Sequence, residues 1–219
     1  YGNDGLSVTN RYKQGEKISK TVTKVWEDNG NVDKTRPSSV TVNLLANGQV
    51  LENKSVTLTE SNHWTSSWNE LPEYDTEGAK ITYTAQEATV GNGYTASYSN
   101  DTFTITNSRP QDTRDVTVTK KWVGDSHVSR LVRPDKITVQ LYANGTPVGG
   151  TKDITGSDDV DTWTATWNNM PINYLKDGVS TPIEYTVAEV GTYDDYHPEV
   201  RGLTITNTYI PVKITRTVN

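Results

Sequence analysis

A set of three strand-like segments occurs twice in the chain, in the same order each time. The first copy comprises residues 21–26 (TVTKVW), 81–87 (ITYTAQE) and 103–107 (FTITN). The second comprises residues 117–122 (TVTKKW), 183–189 (IEYTVAE) and 203–207 (LTITN). Because side chains on a strand alternate between two faces, the inward face of every segment mixes apolar residues with one polar residue.

The polar residues on these inward faces are the same in both copies. They are Lys24, Glu87 and Asn107 in the first copy, and Lys120, Glu189 and Asn207 in the second. Burying a charged or amide side chain costs several kcal/mol unless its partners satisfy it. The recurrence of a lysine, a glutamate and an asparagine on these faces therefore indicates a chemical role for the three side chains.

Length and composition favour two all-β domains. The 219 residues accommodate two units of roughly 90–100 residues each, and either unit is long enough to bury a core of its own. The chain is rich in Thr, Val, Tyr and Trp, with one Phe and one Met, and such a composition favours strands over helices. We therefore expect an all-β protein.

Charge and residue usage exclude several classes of function. The net charge is −6, with acids and bases interspersed, so we expect neither a nucleic-acid partner nor binding to anionic lipid. The absence of cysteine rules out disulfides, thiolate metal sites and cysteine nucleophiles. No apolar run approaches the ~20 residues of a membrane span, so we expect no membrane insertion.

The duplication also sets the expected boundaries. Aligning Trp26 with Trp122 brings nearly all of both units into register. Asn47-Gly48 and Asn144-Gly145 follow alternating strands and predict tight hairpin turns. The predicted organisation is a stub of a preceding repeat with its linker (1–17), a first domain (18–109), a linker (110–114), a second domain (115–210) and the opening strand of a following repeat or a tail (211–219).

Taken as an ordered set, these motifs resemble the collagen-adhesin B-type (Cna B-type) repeat of Gram-positive surface proteins. The resemblance covers both units nearly end to end. It rests on the three segments above together with Arg36-Pro37 and Arg133-Pro134, the strands and turns at 40–48 and 137–145, and the tryptophan pairs Trp64/Trp68 and Trp163/Trp167.

The resemblance implies two tandem immunoglobulin-like β-sandwiches of reversed topology. It also implies a spontaneous isopeptide bond in each domain, from Lys24 to Asn107 with the assistance of Glu87, and from Lys120 to Asn207 with the assistance of Glu189. The neighbouring Lys121 competes with Lys120 by sequence, but strand alternation assigns it to the outer face.

The side chains account for this chemistry without a cofactor. Burial lowers the pKa of a lysine and raises that of a glutamate, so the pair can exist as a neutral amine and a neutral acid. The amine then attacks the asparagine carboxamide, while the acid hydrogen-bonds its carbonyl oxygen and passes a proton to the departing ammonia.

Other candidate sites favour simpler interpretations. The four tryptophans Trp64, Trp68, Trp163 and Trp167 could form a sugar-binding platform, but their spacing on strands favours core packing. Asn29, Asn31 and Asp33 imitate the start of a calcium loop but lack its sixth-position glycine, so we expect no metal. We expect surface positions for the three histidines (His63, His127 and His197) and for the acidic pairs Asp158-Asp159 and Asp194-Asp195.

The expected function is a stalk or spacer segment of a cell-wall-anchored adhesin on the bacterial surface. Its partners would be neighbouring repeats of the same chain, and each domain would act once on itself rather than as a turnover enzyme. The alternative is an adhesive module that itself binds a host extracellular matrix protein or a glycan.

Overall fold

The computed structural model describes residues 15–127 and 133–211, which fold mainly into strands. In this part of the chain the structure contains no α-helix, and one 3-10 helix spans Glu60–Asn62. The expected all-β class is therefore confirmed. The proposed stubs at 1–17 and 211–219 lie outside the described residues, except for 15–17 and Pro211.

The chain divides into two compact units between Gln111 and Asp112, named here unit 1 and unit 2. Over its described residues, 15–111, unit 1 contains seven strands: β1 (Lys17–Glu27), β2 (Ser39–Ala46), β3 (Gln49–Thr59), β4 (Thr65–Pro72), β5 (Tyr83–Glu87), β6 (Thr95–Tyr98) and β7 (Thr104–Ser108). One sheet has the order β4-β1-β7-β6 and the other has the order β3-β2-β5. The first and last strands, β1 and β7, are parallel neighbours.

Unit 2 repeats this sandwich. Its strands are β8 (Thr113–Val123), β9 (Lys136–Ala143), β10 (Thr146–Thr155), β11 (Thr162–Pro171), β12 (Asn173–Lys176), β13 (Val179–Pro182), β14 (Tyr185–Val190), β15 (Tyr196–Arg201) and β16 (Thr204–Tyr209). The sheets have the orders β11-β8-β16-β15 and β10-β9-β14, and β8 is parallel to β16. The β12–β13 hairpin forms a separate two-stranded sheet in place of the single bridge Tyr74–Lys80 of unit 1.

The hairpin turns form where the sequence predicts them. Asn47 and Gly48 have φ angles of 49° and 83°, and Asn144 and Gly145 have φ angles of 48° and 81°. Two successive residues with positive φ match the right-handed twist of the flanking strands, and asparagine followed by glycine tolerates that conformation best. Both turns join strands that pair directly on either side of them.

A separate apolar core fills each sandwich. Trp68, Trp163 and Trp167 are buried, and Trp64 is partly buried against the core of unit 1, which confirms the interpretation of these residues as core residues. Strand β8 begins at Thr113, within the segment assigned from sequence to the linker 110–114. It does so because Thr113 pairs with Pro171 at the end of β11.

Candidate functional site

The parallel pairing of first and last strands brings the lysine and the asparagine of each unit together. In unit 1, Lys24 of β1 is paired with Ile105 of β7, and Trp26 is paired with Asn107. Lys24 and Asn107 therefore lie two residues apart along neighbouring strands, and their side chains point to the same inward face. Unit 2 has the same register, in which Lys120 is paired with Ile205 and Asn207 with Trp122.

The glutamate comes from the opposite sheet of the sandwich. Glu87 ends β5, where it is paired with Val42 of β2, and Glu189 of β14 is paired with Val139 of β9. A lysine and an asparagine from one sheet thus meet a glutamate from the other across the core. We call Lys24, Glu87 and Asn107 the first triad, and Lys120, Glu189 and Asn207 the second triad.

In the first triad the carboxyl group of Glu87 contacts both other side chains. Lys24 Nζ lies 3.4 Å from Glu87 Oε2, and Asn107 Nδ2 donates a hydrogen bond of 3.1 Å to Glu87 Oε1. Lys24 Nζ also donates to the backbone carbonyl of Ile105 at 3.4 Å. The structure therefore brings the three residues named from the sequence into one contact cluster.

The second triad has the same arrangement with shorter lysine contacts. Lys120 Nζ donates to Glu189 Oε1 at 3.0 Å and to Oε2 at 3.2 Å. Asn207 Nδ2 donates to Glu189 Oε1 at 3.4 Å. Two units that share a fold thus build the same polar cluster in their cores.

Both lysines are removed from solvent. The side chains of Lys24 and Lys120 are 0% exposed, and those of Glu87 and Glu189 are 2% and 6% exposed. Burial lowers the pKa of Lys24 and of Lys120 to about 8, against the opposing attraction of the neighbouring glutamate. At pH 7 the lowered pKa makes the neutral amine more abundant than it is in an ordinary lysine.

The orientation of the asparagine amides differs from the sequence expectation. The sequence predicts that the carbonyl oxygen faces the glutamate, but the amide nitrogen faces it in both triads. A carboxylate can only accept hydrogen bonds, so it attracts the NH₂ group, whereas a carbonyl oxygen would require a protonated acid. Asn107 Oδ1 and Asn207 Oδ1 are buried without a hydrogen-bond partner in the described part of the chain.

A cavity of about 400 Å³ reaches the first triad from the surface of unit 1. Its lining includes Glu87 and Asn107 together with Thr41, Asn92 and Tyr94. The cavity is large enough for several water molecules. A small neutral product formed at Asn107 could leave the core through it.

Aromatic rings cover the lysines. Lys24 Nζ lies 4.7 Å from the ring centroid of Trp26, and Lys120 Nζ lies 4.5 Å from that of Trp122. Each of these indoles packs edge-on against a second one, Trp64 or Trp163, at 5.0 Å and 5.2 Å between centroids. The rings exclude water from the amines, although their electron-rich faces also favour an ammonium ion.

The remaining sequence candidates lie away from the triads. Lys121 is exposed, as strand alternation predicts, and so are all three histidines and the two acidic pairs. Two residues of the segment that resembles a calcium loop have partners within the protein. Asn31 Oδ1 accepts a hydrogen bond from the backbone N–H of Arg36, and Asp33 forms an ion pair with Arg109. These side chains therefore serve the loop that follows β1.

Sequence reasoning missed a second polar cluster in each unit. Asp28 and Asp125 are buried carboxylates, and each binds an arginine, Arg36 or Arg133, and a tyrosine, Tyr94 or Tyr196. The matched Arg-Pro pairs were a visible signal. The aspartates, however, stand two residues after Trp26 but three after Trp122, so an alignment that fixes the tryptophans separates them.

Comparison with known proteins gives a consistent match over both units. The family described as Cna protein B-type domain matches residues 20–108 and, a second time, residues 116–208. Collagen adhesin from Staphylococcus aureus is 36% identical in an alignment of 218 residues that covers 98% of this chain and 17% of the adhesin. The chain thus spans about a sixth of the length of this relative.

A solved structure agrees with this match. The crystal structure of two B repeat units (B1B2) of the collagen binding protein of Staphylococcus aureus aligns with a TM-score of 0.67 and 35% identity. The alignment covers 89% of this chain and 50% of that one.

In the part of the present chain that the structure describes, no helix is both long enough and apolar enough to cross a bilayer.

Proposed function

The chain belongs to the Cna protein B-type domain family in both of its units, and from this premise we propose that it is a structural stalk segment of a bacterial surface adhesin that cross-links itself. Each unit would form one Lys–Asn isopeptide bond, Lys24 to Asn107 and Lys120 to Asn207. The observation that carries the proposal is the occurrence of the same buried Lys–Glu–Asn contact cluster in two separate cores.

The reaction begins with a proton transfer inside the triad. An ammonium ion has no lone pair, so the amine becomes a nucleophile only after its proton moves to the glutamate. Contacts of 3.4 Å in the first triad and 3.0 Å in the second join the donor and the acceptor of that proton. Burial favours the transfer, because a neutral amine beside a neutral acid costs less desolvation than an ion pair.

Bond formation then balances within the triad. The lysine nitrogen attacks the asparagine Cγ, and the carbonyl oxygen takes up negative charge in a tetrahedral intermediate. The C–Nδ2 bond breaks as the departing nitrogen gains a proton from the acid, and the attacking nitrogen returns a proton to the carboxylate. The products are one secondary amide and one molecule of ammonia.

The observed orientation of the amides suits the second half of this sequence. Asn107 Nδ2, the leaving group, already lies 3.1 Å from the carboxyl oxygen that would protonate it. Fixed neighbours on paired strands supply effective molarities of about 10⁵ M or more. The glutamate ends as the acid and returns to a carboxylate when the released ammonia takes up its proton, but the lysine and the asparagine are consumed, so each domain reacts once and does not turn over a substrate.

The bond would join the first and last strands of each domain, through which a tethered domain is pulled. Tension would then pass through covalent bonds rather than through hydrogen bonds between strands. A disulfide that closes a loop of similar length contributes about 4–5 kcal/mol in the chain-entropy treatment, and we expect a comparable stabilisation. The bonds would thus take the role of disulfides in a chain without cysteine.

The direct test is the intact mass of the denatured protein. Loss of ammonia removes about 17 Da per bond, so the wild type should fall about 34 Da below its calculated mass. Lys24→Met and Lys120→Met should each restore one increment after correction for the substitution. Lys121→Met, one residue away on the outer face, is the matched control and should keep both deficits.

Peptide mapping then identifies the joined residues. Digestion should yield one branched peptide that contains Lys24 and Asn107, and another that contains Lys120 and Asn207. A wild type with its full calculated mass, or branched peptides that contain other residues, would contradict the proposal.

A second candidate function is that this chain, displayed on the bacterial surface, itself binds a host matrix protein. The observation that favours it is the 36% identity to a protein named collagen adhesin. Surface plasmon resonance of this chain over immobilised collagen distinguishes the two candidates, because a spacer should give no saturable response.

A further inference from the structure

A buried carboxylate outside the triads organises a second polar cluster in unit 1. Arg36 donates to Asp28 from Nε at 3.0 Å and from Nη2 at 2.6 Å, which is the two-pronged geometry of a strong charge-assisted pair. Tyr94 Oη donates to the same carboxylate at 2.8 Å. We call Asp28, Arg36 and Tyr94 the first clasp.

Unit 2 contains the same cluster. Arg133 donates to Asp125 from Nε at 2.6 Å and from Nη2 at 2.7 Å, and Tyr196 Oη donates to Asp125 at 2.7 Å. We call these three residues the second clasp. The same contacts form although the aspartate stands one residue further from the tryptophan in unit 2 than in unit 1.

Each clasp packs against the indole that covers the lysine of its triad. In unit 1 the ring of Trp26 lies 5.1 Å from that of Tyr94 and 5.1 Å from Arg36 Cζ, and it also covers Lys24 Nζ at 4.7 Å. In unit 2 the ring of Trp122 lies 4.8 Å from that of Tyr196 and 5.8 Å from Arg133 Cζ. One indole therefore connects clasp and triad in each unit.

The carboxylates of the clasps remain charged inside the fold. Although burial opposes it, hydrogen bonds from Arg36 and Tyr94 hold the pKa of Asp28 below its usual value. The bond from Arg133 is the main cause of a lowered pKa at Asp125. Replacing a buried ion pair with apolar residues of similar volume is often neutral or stabilising, so stability alone does not account for an ion pair beside both lysines.

Position supplies another explanation. Apolar packing is not directional, so it allows an indole to slide or tilt. The two hydrogen bonds of the Arg–Asp pair and the bond from the tyrosine hydroxyl are directional, so they fix both the distance and the orientation of the side chains that pack against the indole. Tyr94 also lines the cavity that reaches Glu87 and Asn107. A displaced Tyr94 would therefore admit water from this cavity toward the contact between Glu87 and Lys24.

We propose that the three residues of each clasp are positioning residues, which hold the indole over the reacting lysine and exclude water from its amine. These residues are Asp28, Arg36 and Tyr94 in unit 1, and Asp125, Arg133 and Tyr196 in unit 2. This role rests on the proposed isopeptide reaction. Because desolvation is the main cause that lowers the pKa of both lysines, a loosened clasp should return the amine toward its ordinary protonated state.

The test follows the reaction rate against pH in the full chain. Lys120→Met silences unit 2, so that a loss of about 17 Da reports unit 1 alone. The chain is made by brief in vitro translation, stopped in denaturant, and diluted into buffers from pH 6 to 9. Samples are quenched at intervals and weighed, and the rate is compared between this background and the same background with Tyr94→Phe.

Tyr94→Phe should shift the midpoint of the rate–pH profile upward by about one unit and slow the reaction about tenfold at pH 7, because the neutral amine becomes tenfold rarer. The rates should converge toward pH 9. Tyr83→Phe is the matched control, since Tyr83 is a buried core tyrosine whose hydroxyl bonds to Pro72 O instead. It should leave the midpoint unchanged. Near-ultraviolet circular dichroism checks that both variants fold.

The outcomes separate the two proposals. If the background chain never loses mass, the isopeptide reaction is wrong and the clasp has no reaction to support. If it loses mass and Tyr94→Phe keeps the same midpoint, or slows the reaction equally at every pH, the positioning role alone is overturned. Arg36→Lys, which keeps the charge but loses the fork, should shift the midpoint in the same direction as Tyr94→Phe.

Discussion

Lys120 Nζ lies 3.0 Å from Glu189 Oε1 and 3.2 Å from Glu189 Oε2, and the side chain of Lys120 has no contact with solvent. This pair is enclosed in the core of unit 2, so the loss of one partner leaves the other charge without compensation. The same relationship between Lys24 and Glu87 makes the glutamates the most informative positions to change.

Glu189→Gln should abolish the bond of unit 2 and leave that of unit 1 intact. The carboxamide can neither take the lysine proton nor return one to the leaving nitrogen, so the mass deficit should fall from about 34 to about 17 Da after correction for the substitution. Glu184→Gln is the control, because Glu184 belongs to the same segment but lies outside the triad. A remaining deficit of 34 Da in Glu189→Gln would remove the glutamate from the mechanism.

The same variant should be less stable than another variant that also lacks the bond. Asn207→Ala loses the cross-link but keeps the ion pair, whereas Glu189→Gln leaves Lys120 buried and unpaired. Breaking a buried pair costs about 3–5 kcal/mol, so chemical denaturation should give a lower free energy of unfolding for Glu189→Gln. Equal free energies would mean that Lys120 reaches solvent or a new partner.

Without the bonds, the stability of the protein should rise with pH above the lysine pKa. In Asn107→Ala/Asn207→Ala the lysines have a pKa of about 8 when folded and 10.5 when unfolded, so between these values the unfolded chain binds more protons. The free energy of unfolding should therefore increase from pH 8 toward pH 10. Adding Lys24→Met and Lys120→Met should remove this increase, and a profile that the methionines leave unchanged would contradict it.

Under tension, a cross-linked domain should not release the chain between its bonded residues. Lys24 and Asn107 are about 80 residues apart, so breaking unit 1 open would add about 28 nm at ~3.4 Å per residue. Single-molecule pulling should give no such step for the wild type and one for Asn107→Ala. Steps of this length in the wild type would contradict the cross-linked spacer.

Gly156→Ala should destabilise unit 2 by about 1–3 kcal/mol, the usual cost of overpacking. A Cβ at Gly156 would overlap the indole of Trp163, which donates to Val160 O and packs against Trp122. Gly91→Ala, whose Cβ meets nothing within 4 Å, is the control. Thermal unfolding followed by tryptophan fluorescence measures both, and an unshifted transition in Gly156→Ala would mean that Trp163 moves at no cost.

The sequence alone located both triads, because their signal is local. Strand alternation with period two places Lys24, Glu87 and Asn107 among apolar neighbours, and the duplication repeats the pattern at Lys120. It could not supply the orientation of the amides, which depends on whether the facing carboxyl group is charged. The sequence could not reveal the strand register that places Lys24 near Asn107 either, since that register follows from the pairing of β1 with β7.

The clasps escaped the sequence for a different reason. Asp28 and Tyr94 are 66 residues apart, and nothing in the pattern around either one indicates the other. The loop after Trp122 is also one residue longer than the loop after Trp26, which hides the equivalence of Asp125 and Asp28. Contacts that depend on the path of a loop are available only from the folded structure.

The parallel pairing of β1 and β7 also determines how a domain resists being stretched. The chain enters the two-sheet sandwich of unit 1 at the start of β1 and leaves it at the end of β7, which are opposite ends of the same ladder. A stretching force therefore loads this ladder in shear, so that its hydrogen bonds share the load instead of being peeled apart in succession. With Lys24 and Asn107 both near the exit end, a covalent link there would carry the load straight from β1 to the exit, and strands β2 to β6 would bear none of it.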